Sequence, residues 1–152
     1  MDERTDLVVR ALRPEDLDET LDIWVAAWQA AYPAIDFSAR RDWAREHIAE
    51  LERTGSHTLV AAYDGRIVGV LAVDPATGYL DQIVVAGEFQ GRGVAETLLA
   101  QARSVAPAGL DLHVNQDNAR AIGFYRKHGF AAAGEDVNPR SGAPTLRMRW
   151  RP

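Results

Sequence analysis

"EFQGRGVAETLLAQAR", residues 88–103, sets two glycines two positions apart in front of an unbroken helical stripe. Val94, Leu98, Leu99, Ala102 and Val105 recur at helical spacing, which predicts a helix from about Gly93. Just upstream, "YLDQIVVA" (79–86) reads as a strand, β-branched at its end and partly alternating. The unit is therefore strand, glycine loop, helix. A helix start presents unpaired N–H groups and the positive end of the helix dipole, and glycines before it let a bulky anion reach the amides. A phosphate or pyrophosphate is the usual guest of such a loop. A sharp turn that merely connects strand to helix is the alternative reading.

Two phosphate motifs can be tested against these residues. The Walker loop needs Lys-Ser/Thr after its last glycine, and Val94-Ala95 follow Gly93 instead. The dinucleotide fingerprint needs a third glycine, where this chain has Glu96, a large carboxylate beside the pyrophosphate's place. Asp111 stands at a plausible distance for a ribose-binding acid, so the dinucleotide reading is weakened rather than removed.

The rest of the chain is that of an ordinary soluble domain: 152 residues, 47% hydrophobic, 26% charged. One domain spanning residues 1–152 is expected, long enough to bury about 70% of the extended chain's surface. The chain has no cysteine, which excludes disulfides and thiolate metal sites. No apolar run approaches a membrane span, and "MDERTD" does not read as a signal peptide, so no membrane partner and a cytoplasmic location are expected. The net charge of −5 argues against a non-specific nucleic-acid binder.

"LVVRAL" (7–12) reads as a first strand, and Pro14 opens a helix carrying Leu17, Leu21, Trp24, Val25, Trp28 and Tyr32 on one stripe. A second helix is expected over about 38–53, ending at Gly55. "TLVAAY" and "RIVGVLAV" flank Asp64-Gly65, a strong hairpin signal. Further on come a strand at 110–114, a short helix over 118–128 and two strands, "FAAAGE" and "TLRMRW". The pattern is mixed α/β, a sheet with helices packed on both faces. His47, His57, His113 and His128 are scattered, with no pair at metal-ligand spacing, so no metal is expected.

The glycine loop and a second segment, "NQDNARAIGFYRKHGF" (115–130), together resemble the GNAT superfamily of N-acetyltransferases. That family's loop, Gln/Arg-x-x-Gly-x-Gly/Ala, is matched by Gln90, Gly93 and Ala95. Its later segment is matched by Asn118-Ala119, Phe124-Tyr125 and Gly129-Phe130, and its first strand and helix by "VVRALRPEDLDE" (8–19). Gly87 stands where many members have proline, and Ala95 where glycine is commoner. The resemblance covers nearly the whole chain in the right order. It implies a mixed, mostly antiparallel sheet of about seven strands with about four helices on both faces.

The same resemblance implies acetyl-CoA as acetyl donor. It assigns the amides of Gly91, Arg92, Gly93, Val94 and Ala95 to the pyrophosphate, with the side chains of Gln90 and Arg92 at the rim. The backbone of Ile83, Val84 and Val85 would pair with the pantetheine arm, and an N–H near Val84 or Val85 would meet the thioester oxygen, where an oxyanion develops. Asn118 and Tyr125 lie two turns apart on one helix face, about 10 Å along the axis, a span that suits one group on the arm and another at the sulfur. Tyrosine keeps its proton at neutral pH and so can act as the acid. Asp81 is the expected base, on the face of Tyr79 and Ile83 if the strand is regular; Glu88 is the alternative. The implied reaction is direct attack of a primary amine on the thioester. The acceptor is an amine-bearing small molecule or peptide of unassigned identity, and the oligomeric state, a homodimer included, is left open. A CoA-sensing module without turnover is the rival reading, against which Tyr125 and Asn118 count.

Overall fold

A computed structural model describes residues 7–152; the opening "MDERTD", read above as no signal peptide, lies outside the described residues. The order is β1 (Leu7–Ala11), α1 (Leu17–Ala31), α2 (Arg41–Arg53), β2 (His57–Tyr63), β3 (Arg66–Val73), β4 (Leu80–Val85), α3 (Val94–Val105), β5 (Leu110–Asn115), α4 (Ala119–Lys127), β6 (Ala131–Val137) and β7 (Pro144–Trp150). The helix expected over 38–53 begins as a 3-10 turn, Ser38–Arg40, before α2 proper.

The seven expected strands do not form one continuous sheet. They make an antiparallel sheet β1-β2-β3-β4 and a second antiparallel sheet β5-β7-β6. The two meet at a parallel bridge between Tyr79 and Asp111, where Asp111 N–H also donates to the Gly78 carbonyl at 3.0 Å. Beyond that bridge β4 and β5 are not paired, which leaves a seam between them.

Helices cover both faces, as expected. On one side α3 and α4 pack against the sheets through Leu98, Leu99, Ala102 and Tyr125, joined by Phe130 just after α4, with Leu71, Leu80, Leu110, Leu112 and Met148 beneath them. On the other, Leu21 and Trp24 of α1 and Ala44 and Ile48 of α2 close over Val60, Val70 and Val84. Gly69 of β3 explains how close α3 comes. A Cβ there would lie 3.0 Å from the side chains of both Val94 and Leu98, so glycine lets the first turn of α3 rest on the strand. Both Asp64 and Gly65 have positive φ, 52° and 82°, as the tight β2–β3 hairpin requires.

Candidate functional site

The loop between β4 and α3 has the form the sequence predicts. Gly91 and Gly93 have φ of +79° and +82°, and Gly93 is the N-cap of α3, with no side chain capping the helix. A Cβ at Gly91 would meet nothing within 4 Å, and one at Gly93 only the Glu96 carboxylate at 3.9 Å. Glycine is needed here for the backbone conformation and not for any protein neighbour. Among the described residues, the amides of Gly91, Arg92, Gly93, Val94 and Ala95 donate to no protein acceptor. Five free donors at a helix N-terminus fit a diphosphate. The Arg92 guanidinium lies 5.4 Å over the Phe89 ring, at the loop's rim.

β4 leads from this loop back along the seam. Ala86 N–H donates to the Val68 carbonyl at 2.9 Å, and Val70 stands opposite Val84. Antiparallel alternation therefore turns the N–H of Val84 toward β3 and those of Ile83 and Val85 toward the seam. Of the two amides the sequence offers for the thioester oxygen, Val85's faces the open side.

Across the seam, α4 presents Asn118 and Tyr125. The Asn118 side-chain oxygen accepts from Ala121 N–H at 3.2 Å, so this residue caps the helix. Tyr125 is buried, its ring edge-on to Phe124 and Phe130 at 5.5 and 5.4 Å. Among the described residues nothing hydrogen-bonds its hydroxyl. Burial pushes its phenol far above the ordinary tyrosine value, with no charged neighbour contributing. It holds its proton at any physiological pH.

Asp81 sits differently from the expectation of a regular strand. Ala72 pairs with Gln82 but Val73 with Leu80, so Asp81 is the extra residue of a β-bulge. The bulge turns two successive side chains to the α1–α2 face. The Asp81 carboxylate lies 2.8 Å from His47 Nε2 of α2, and Gln82 accepts from the Trp24 indole at 3.1 Å. Ile83 packs on the α3 side instead, so Asp81 and Ile83 do not share a face. Asp81 and Tyr125 thus flank the seam from opposite sides. The His47 ring stacks on Trp43 at 4.7 Å, and Arg140, from the β6–β7 loop, lies 3.8 Å over the other ring of that pair.

Beside Asp81 runs a polar chain that links the residue just before β4 to β5 and β6. The Tyr79 hydroxyl is 2.8 Å from His113 Nδ1, and His113 Nε2 is 2.9 Å from the Asp136 carboxylate. Burial, and then the carboxylates of Asp81 and Asp136, push the Tyr79 phenol up to about 12. At the other end of the face, the Tyr32 hydroxyl donates to Asp117 at 2.8 Å and accepts from Asn115 at 3.0 Å. Trp24 is core, whereas Trp28 and Tyr32 are only partly buried.

The model of the Acetyltransferase (GNAT) family matches residues 17–130. The chain belongs to this family. It is an N-acetyltransferase whose acetyl donor is acetyl-CoA. It is 28% identical over 143 residues to the peptidyl-lysine N-acetyltransferase YjaB of Salmonella typhimurium, covering 90% of this chain and 91% of that protein. Among solved structures it resembles apo-YjaB of Escherichia coli, with a TM-score of 0.70, 25% identity, and coverage of 95% and 97% of the two chains. A PaiA N-acetyltransferase of Thermoplasma acidophilum, solved with coenzyme A, shares the fold at a TM-score of 0.78 and 19% identity, over 96% and 99% of the chains.

Sequence reasoning missed the partners on the α1–α2 face of this acetyltransferase. His47 was one of four scattered histidines; its one local signal is Trp43 one helical turn away. Tyr79, His113 and Asp136 carry no spacing signal, because the bridge residue before β4 and two separate strands, β5 and β6, bring them together. Among the described residues no group of histidines and carboxylates could hold a metal ion, and no helix is long and apolar enough to cross a membrane.

Proposed function

We propose that this acetyltransferase moves the acetyl group of acetyl-CoA to a primary amine by direct attack on the thioester. The observation that carries the reading is the seam: free amides of β4 and the glycine loop line it from one side, and Asp81 approaches from the other. The amides of Gly91 to Ala95 hold the pyrophosphate, with Gln90 and Arg92 at the rim. The backbone of Ile83 to Val85 and the Asn118 side chain orient the pantetheine arm, and Val85 N–H donates to the thioester oxygen, where charge builds in the transition state.

Asp81 takes the proton of the acceptor ammonium, leaving a neutral nucleophile. Tyr125 gives its proton to the departing thiolate; burial keeps that proton on the hydroxyl until the thiolate forms. The nitrogen sheds its second proton as the tetrahedral intermediate collapses; that proton replaces the one Tyr125 gave the thiolate, and the one Asp81 took passes to solvent, so the transfer releases one proton overall. The acceptor class is an amine on a peptide or small molecule; the YjaB relatives favour a peptidyl lysine. The test is thiol release from acetyl-CoA with a panel of lysine peptides, free amino acids and diamines. Sustained release with at least one is expected. Binding of acetyl-CoA without turnover on any member would sink the reading in favour of a CoA sensor.

A further inference from the structure

The Tyr79–His113–Asp136 chain has a fixed polarity. The ionised Asp136 carboxylate can only accept, so the His113 Nε2 that lies 2.9 Å away must carry the hydrogen. In the neutral imidazole that leaves Nδ1 as a bare lone pair. The Tyr79 hydroxyl, 2.8 Å from it, must then donate its one proton inward. What Tyr79 has left to offer is lone pairs alone. The residue stands at the foot of the seam, in the bridge to Asp111 and two residues before Asp81, on the face opposite the α3–α4 core.

We infer that the Tyr79 oxygen is a seat for the acceptor's amino group, held as a hydrogen-bond acceptor by His113 and Asp136, so that the site selects molecules that arrive as ammonium or N–H donors. The inference rests on the acetyl-transfer reading above and adds a specificity residue to it. Tyr79 touches the acceptor; His113 and Asp136 act through it as positioning residues. Asp81, whose charge already acts on the Tyr79 phenol, is the carboxylate that takes the proton of an ammonium held there. An acceptor that offered only an oxygen lone pair would face lone pair against lone pair.

The experiment pairs kinetics with a readout independent of turnover. In 15N NMR of the wild-type chain near neutral pH, His113 should show the tautomer protonated at Nε2, and Asp136→Ala should lose that preference. With the best acceptor of the amine panel, Tyr79→Phe should raise the acceptor KM on the order of ten- to a hundredfold. The acetyl-CoA KM should stay unchanged and kcat should change little. Asp136→Ala should shift the acceptor KM in the same direction by less. Wild-type turnover with acceptor KM unmoved in both variants, or a His113 protonated at Nδ1, would overturn the seat alone. Failure of the wild type to acetylate any amine would overturn the reading beneath it, and the seat with it.

Discussion

Replacing Gly93 by alanine separates what the loop does for the fold from what it does for the ligand. In the free protein the added methyl meets nothing closer than the Glu96 carboxylate at 3.9 Å, so its cost is conformational. An L-residue held at the +82° φ of this position loses about 1–2 kcal/mol. At about 2–4 °C per kcal/mol for a chain of this size, the unliganded variant should melt about 2–8 °C below the wild type. Acetyl-CoA at a hundred times its Kd adds about 2.7 kcal/mol to the wild type, a rise of roughly 5–10 °C. If the methyl stands in the pyrophosphate's place and weakens binding about a hundredfold, the same concentration adds only about 0.4 kcal/mol, roughly 1 °C. Differential scanning fluorimetry of both proteins, with acetyl-CoA, NAD or ATP, reads all of these numbers. The wild type should respond to acetyl-CoA and little to the nucleotides, which lack the pantetheine arm proposed to lie along the β4 seam. An undiminished acetyl-CoA shift in the variant would refute the assignment of this loop, and a wild-type shift as large with NAD would revive the dinucleotide reading.

Tyr125→Phe should lower kcat by about a hundredfold or more at unchanged acetyl-CoA affinity, because only the proton donor is removed; full turnover with chemistry rate-limiting would clear Tyr125 of that role. Asp81→Asn should impair transfer most at low pH, the defect shrinking as the amine becomes neutral unaided. A defect constant across a pH–rate profile would assign Asp81 to binding or structure instead. A third change probes the first turn after β1, where Arg10 holds Asp16 through two contacts of 2.6 and 3.0 Å and Arg13 N–H adds a third at 2.7 Å. These hydrogen bonds, Arg10's first, keep the Asp16 carboxyl below its ordinary value against the opposing effect of burial. A depressed carboxylate stabilises above its unfolded pKa, about 3.9, and the gain disappears as pH falls through the lower folded value. Asp16→Asn should therefore cost about 2 kcal/mol at pH 7 in urea unfolding and progressively less below pH 4, and an equal cost at both pH values would contradict the ion pair.

What could be read from the chain is what local physics encodes. The two glycines at 91 and 93, the stripe of α3 and the Asp64-Gly65 hairpin each state their geometry in consecutive residues, and each is found where those residues predict. The bulge at Asp81 has no such signature. It arises because β3 and β4 fall out of step between Ala72 and Val73, a matter of two strands and not of one. That one slip moves Asp81 from the α3 face to the α2 face and gives it His47, 34 residues earlier, as a partner. The same holds for His113, whose neighbours come from the bridge residue before β4 and from β6. Residue types that looked scattered along the chain converge only once the register of seven strands is known.

The seam between β4 and β5 has a consequence for how fast this strand trades its amide hydrogens with solvent. Val84 N–H is tied to β3 while Ile83 and Val85 point into a gap that no strand closes. In deuterated buffer a single strand should therefore read as alternately slow and fast, residue by residue, in the middle of an otherwise protected sheet. A neighbouring strand such as β3, paired along both edges, should show no such alternation. Occupancy of the gap then becomes visible without any assay of chemistry: the fast members of β4 slow down, and their slow neighbours, already bound to β3, barely change.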